Sequence, residues 1–178
     1  VVRHKPRVRS SAGRSVYAEA GLAQITQCAT DNALSRAGWP TFFRLCADNE
    51  RQAAVAAEFV HTHHLAGHAV AVHDGTDYGR PLVEAFAARL HALSGHEVTV
   101  LAMHVGQEAF SQIVSAIQAA HAGAVDFGAP KIERSTLMRA RHSAGVNTVV
   151  TSPSGGPVRH PAPCPAAPRR RSLPPPAR

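Results

Sequence analysis

Acidic side chains are missing from both ends of this 178-residue chain. Residues 1–14 carry Arg3, Lys5, Arg7, Arg9 and Arg14 with no Asp or Glu. Residues 157–178 carry Arg159, Arg169, Arg170, Arg171 and Arg178, again with no acid. Each end stands at +5. Of 19 basic and 12 acidic residues, nine basic and all twelve acidic ones remain in the body, 15–156, a balance of −3. The formal charge of +7 belongs to the ends, which excludes a nucleic-acid footprint spread over a domain face. Aromatics are only 5%, too few for base-stacking platforms. No apolar run reaches the roughly 18 residues that span a bilayer. The basic start has no apolar h-region of a secretory leader. Three cysteines, Cys28, Cys46 and Cys164, make no disulfide framework, and none forms a C-x-x-C pair.

Hydrophobic residues are 44% of the chain, enough for a core. The tail at 157–178 holds eight of the thirteen prolines and no apolar periodicity, so it is expected to be disordered. The first 14 residues are basic and aperiodic. Between the ends the pattern alternates. Strands are predicted at Ala23–Thr26, Thr41–Leu45, Ala69–His73, Glu97–Met103, Val125–Gly128 and Val146–Thr151. A helix opens at Asn49, with Gln52 as its capping partner, and buries Ala53, Ala56, Ala57 and Val60. A second helix, Arg80–Ser94, carries Leu82, Phe86, Leu90 and Leu93 on one face and stops at Gly95. Phe110, Ile113, Val114 and Ile117 stripe a third, and Glu133–Ser143 is a fourth. From Thr41 onward, strands with helical crossovers mean an α/β architecture with a parallel sheet covered on both faces, and ligands sit at the carboxyl ends of such strands.

Several chemistries can be weighed there. His61, His63, His64 and His68 cluster at one helix end, but no Cys, Asp or Glu completes a ligand set. They read as a solvated end, where the helix dipole favours imidazolium, and no metal is expected. No G-x-S-x-G elbow is present, and Cys28 has no identifiable His and acid partners, so it reads as a small buried or idle thiol. Glycines follow the strands singly, without the spacing of a phosphate loop. No cofactor and no catalytic residue is predicted. The loop His73-Asp74-Gly75-Thr76-Asp77-Tyr78-Gly79 is different. Asp74 or Asp77 can cap the following helix. Tyr78 offers an aromatic wall and a hydroxyl to a small polar ligand, or else packs on its own helix.

That loop, with Phe42-Phe43-Arg44 before it, resembles the branched-chain amino-acid binding proteins of ABC importers, the leucine/isoleucine/valine type of type I periplasmic binding protein. The likeness continues through Ala29-Thr30-Asp31-Asn32 upstream and Gly106-Gln107-Glu108-Ala109-Phe110-Ser111 downstream, covering about residues 15–156. It implies two parallel-sheet α/β lobes joined by a hinge, here incomplete and with disordered basic ends. Residues 1–46 are then the remnant of the first lobe, 47–156 most of the second, and 157–178 a Pro/Arg-rich tail. In the family the lobes close on an amino acid and dock on a membrane permease, without catalysis. The resemblance implies a periplasmic monomer that binds an amino acid or similar small molecule. Ala29 and Thr30 would hold the ligand's α-groups through backbone and hydroxyl, and Tyr78 would close over it.

The sequence also departs from that pattern. Arg7 stands where the family has a serine, and Ser154 where it has the acid that receives the ammonium. Loss of that contact is worth roughly 1.5–3 kcal/mol, or about ten- to a hundredfold in affinity. The alternatives are a ligand-sensing module of a regulator or receptor, and a non-functional gene fragment. The Pro, Ala and Arg bias of the ends fits a truncated or frameshifted GC-rich reading frame.

Overall fold

Short alternating segments separated by amphipathic ones have one economical arrangement, with the strands side by side and the helices covering them. A computed structural model describes residues 2–4, 14–65, 67–104, 106, 109–129 and 131–152. Its strands form two parallel sheets. The first joins β1 (Val2–His4), β2 (Gln24–Thr26) and β3 (Phe42–Arg44) in that order. The second joins β4 (Ala69–His73), β5 (Val98–Ala102), β6 (Ala124–Gly128) and β7 (Val149–Thr151) in the order β5-β4-β6-β7.

The basic N-terminal end, expected to be disordered, therefore contains a strand. Val2, Arg3 and His4 pair with Gln24, Ile25 and Thr26. Backbone hydrogen bonds make that pairing, and they need no apolar periodicity to announce them. Two short helices, α1 (Arg14–Glu19) and α2 (Ala33–Arg36), also lack a periodic signal. The tail at 157–178, together with Arg7 and Ser154, lies outside the described residues.

The second sheet is covered on both faces. In β4 the alternation Ala69-Val70-Ala71-Val72 assigns the faces directly. Val70 and Val72 pack with Ile113, Val114 and Ile117 of α5 (Ser111–Ala119) and with Leu137 of α6 (Lys131–Ser143). Ala69 and Ala71 pack with Ala53, Ala57 and Val60 of α3 (Asn49–Thr62), and with Leu82, Phe86 and Leu90 of α4 (Gly79–Ser94). Alanines on that face let the two long helices sit close to the sheet.

Phe86 is fully buried, and truncating such a ring to Ala costs about 3–5 kcal/mol. Gly95 ends α4 in the left-handed region at φ 72°, as its position predicts. The start of α3 differs by one residue from expectation. Asp48 is the cap, its carboxylate accepting the Arg51 N–H at 2.8 Å, while Asn49 is buried in the first turn. Gln52 does reach back, but its amide donates to the Ala47 carbonyl at 2.7 Å.

Candidate functional site

In the second sheet β5 and β6 flank β4 on opposite sides, so the chain leaves β4 one way and returns past it. The crevice at the carboxyl ends of β4 and β6 is the place where an open parallel sheet receives a ligand. The loop 73–79 stands there. Gly75 takes φ 74°, a left-handed turn that only glycine adopts without strain. Its N–H donates to His73 Nδ1 at 3.0 Å.

Asp74 is buried. One of its oxygens accepts both the Thr76 N–H, at 3.0 Å, and the Thr76 hydroxyl, at 2.6 Å. The Thr76 oxygen in turn accepts the N–H of Tyr78 at 3.3 Å and of Gly79 at 3.1 Å. Asp74 thus orients Thr76, whose hydroxyl oxygen receives N–H groups at the start of α4. A hydroxyl three residues ahead of the first helical residue was the sequence signal for it. The first residue of α4 lies against the last residue of β6. A Cβ on Gly128 would meet the Gly79 carbonyl and Val83 Cγ2 at 2.8 Å each. Two glycines allow this approach, which sets the floor of the crevice.

Tyr78 is half-buried at the start of α4, packed against the cluster of α3, α4 and the alanine face. Burial raises the proton affinity of its phenol. The carboxyls of Asp126 and Asp74 raise it further, and the guanidinium of Arg134 opposes them. Asp126, inside β6, was read only as part of a strand. It is wholly buried, and desolvation pushes its carboxyl up to about 7, against the opposing Thr151 hydroxyl, which donates to it at 2.8 Å. One Nη of Arg134 is buried with no hydrogen-bond partner among the described residues.

The other expected residues lie in the first sheet, at the carboxyl end of β2. Ala29 is buried, and its N–H donates to the Thr26 hydroxyl at 3.2 Å. Its carbonyl receives Arg44 Nη1 at 3.5 Å and the Cys46 thiol at 3.7 Å. Arg44 also donates to the Asp31 carbonyl at 2.8 Å, to the Ser35 hydroxyl, and to Asp48 at 3.3 Å. The Thr30 carbonyl accepts the Asn49 N–H at 2.9 Å. Arg44 and the start of α3 therefore hold the 29–31 loop. Ala29 and Thr30 stand together, and Tyr78 stands at the matching end of the other sheet. No hydrogen bond joins Tyr78 to Ala29 or Thr30 among the described residues.

The histidine cluster sits elsewhere. His61 and His64 meet His96 around a cavity of about 610 Å³ between the ends of α3 and α4. Among the described residues, no three His, Cys, Asp or Glu side chains are placed to hold a metal ion. Cys28 is exposed rather than buried.

Known proteins are similar to this chain in sequence and in fold. No family model matches the chain. An amino acid binding protein of Pseudomonas aeruginosa is 30% identical over 140 residues, 79% of this chain and 37% of that protein. Leu/Ile/Val-binding protein homolog 1 of Brucella abortus is 27% identical over 140 residues, 38% of its length. The chain is similar to amino acid and Leu/Ile/Val-binding proteins. It spans under two fifths of the length of these curated relatives. Its fold matches an ABC transporter substrate-binding protein of Desulfitobacterium hafniense in complex with Leu, at TM-score 0.72 and 17% identity, over 84% of this chain and 44% of that one. It also matches a solute-binding protein of an ABC transporter from R. palustris in complex with benzoate, at TM-score 0.70 and 17% identity, over 80% and 40%. The architecture is thus that of type I periplasmic binding proteins, incomplete in this chain.

Proposed function

We propose that this chain is a portion of the substrate-binding component of an ABC importer for branched-chain or related amino acids, working in the periplasm without catalysis. The reading rests on one observation: two parallel sheets present loops at their carboxyl ends, 29–31 on one and 73–79 on the other. Residues 1–46 form the remnant of the first lobe in this reading, and 47–156 most of the second. The ligand lies between the loops, with the Ala29 backbone and the Thr30 hydroxyl toward its α-groups and Tyr78 closing over it. The closed form docks on the importer's membrane permease as a monomer.

Ligand that binds only the folded state raises Tm with its concentration. A thermal-shift panel of leucine, isoleucine, valine, polar amino acids and benzoate tests the reading. A concentration-dependent rise with at least one amino acid supports it. No rise with any of them at millimolar concentration overturns it.

A further inference from the structure

The pairing of the first sheet places Thr26 of β2 opposite Arg44 of β3. The Leu45 N–H donates to the Thr26 carbonyl at 3.0 Å and carries the ladder past the end of both strands. Cys28 and Cys46 lie two residues beyond the last pair of their respective strands, where both segments bend. Paired strands run about 4.8 Å apart, and a disulfide needs Cα atoms about 4.4–6.8 Å apart. The two segments stay together at this point. The Cys46 thiol donates to the carbonyl of Ala29, the residue next to Cys28, at 3.7 Å. Arg44 holds the same carbonyl from its other side at 3.5 Å. Burial raises the proton affinity of Cys46, Arg44 lowers it, and Cys28 is near enough to add to the rise. Both cysteines are in the thiol form, Cys28 exposed and Cys46 half-buried.

We propose that Cys28 and Cys46 form a reversible disulfide that staples the 29–31 loop to the segment leading into α3. The oxidant is a disulfide, either a small molecule such as oxidised glutathione or a thiol oxidoreductase. The exposed Cys28 loses its proton, and its thiolate attacks one oxidant sulfur. A mixed disulfide forms, and the other oxidant sulfur leaves as a thiolate. Cys46 then loses its proton and attacks Cys28 Sγ. The Cys28–Cys46 bond forms, and the second oxidant thiolate departs. Two electrons and two protons pass from the pair to the oxidant, which ends as two thiols. The structural consequence is local. The 29–31 loop, already held by Arg44, becomes covalently tied to the segment after β3.

The full chain carrying Cys164→Ser, incubated with oxidised glutathione, tests this directly. After denaturation, alkylation and proteolysis, mass spectrometry is expected to find one linked peptide joining Cys28 to Cys46. Neither cysteine is then alkylated, and dithiothreitol reverses the link. The oxidised form should melt about 5–10 °C above the Cys28→Ser variant, as expected for a loop of this length. Alkylation of both thiols, a lasting glutathione adduct on Cys28, or links only between molecules would overturn the proposal. So would an intramolecular link that leaves Tm unchanged. The mass readout needs no ligand, so its outcome is separate from that of the binding panel.

Discussion

Asp126 is wholly buried in β6, with the Thr151 hydroxyl on its carboxyl and Tyr78 near it. Unfolded, such a carboxyl titrates near 4, and folded it titrates at about 7. The folded state therefore holds the proton more tightly. The favourable contribution is complete below about pH 4 and is lost as pH rises through about 7. Asp126→Asn keeps an acceptor for Thr151 and removes the charge. The variant is expected to gain on the order of 2–4 kcal/mol over the parent at pH 8 and little at pH 4, read by denaturant melts. A parent whose stability does not fall between pH 5 and 8, relative to the variant, contradicts the burial account. The sequence could not show this site, because Asp126 and Thr151 are 25 positions apart and meet only through the β6–β7 pairing. Ala29, Thr30 and Tyr78 were instead expected from the resemblance of the segments that contain them, and ligand binding to the Tyr78 variant tests that expectation. Ser154, where related proteins are expected to carry an acid, gives a second residue-level prediction. Ser154→Glu should tighten amino-acid binding about ten- to a hundredfold by calorimetry, and unchanged affinity would count against that assignment.

At the scale of elements, the long helices were readable because each buries one stripe. Leu82, Phe86 and Leu90 repeat every four residues, and all three are fully buried. Gly95 marks the end of α4 as its position predicts. β1, α1 and α2 were not readable because each is too short for a stripe. The start of α4 left two acids open as caps, Asp74 and Asp77. Either Asp of the loop could cap by spacing, yet Asp74 is drawn to the Thr76 amide and hydroxyl, leaving Thr76 to receive the helix N–H groups. The junction between α4 and β6 adds a steric prediction. A Cβ on Gly79 would lie well inside van der Waals contact of the Gly128 carbonyl and Asp74. Backbone cannot yield as a flexible side chain can, so Gly79→Ala is expected to cost about 2–3 kcal/mol in unfolding experiments. A loss below about 0.5 kcal/mol would mean that α4 is free to shift off the sheet.

For the molecule as a whole, the described sheets and helices lie in the body with its −3 balance, except that β1 and the start of α1 belong to the basic N-terminal end. That distribution was visible from composition alone, as was the parallel α/β order from β3 to β7. The alternation of strand and helix did not show the split into two sheets, because it continues unbroken from β3 to β4 while hydrogen bonding does not, and only the resemblance implied two lobes. Between those sheets lies the proposed ligand, in a chain that spans under two fifths of its curated relatives. Calorimetric titration of the full chain and of Tyr78→Ala, with leucine and with whichever amino acid gives the largest thermal shift, tests this most directly. The account predicts saturable binding to the parent with one ligand per chain, weakened at least about tenfold in Tyr78→Ala, a loss of about 1.4 kcal/mol. Absence of saturable heat with every amino acid, or equal affinity in the variant, would contradict it.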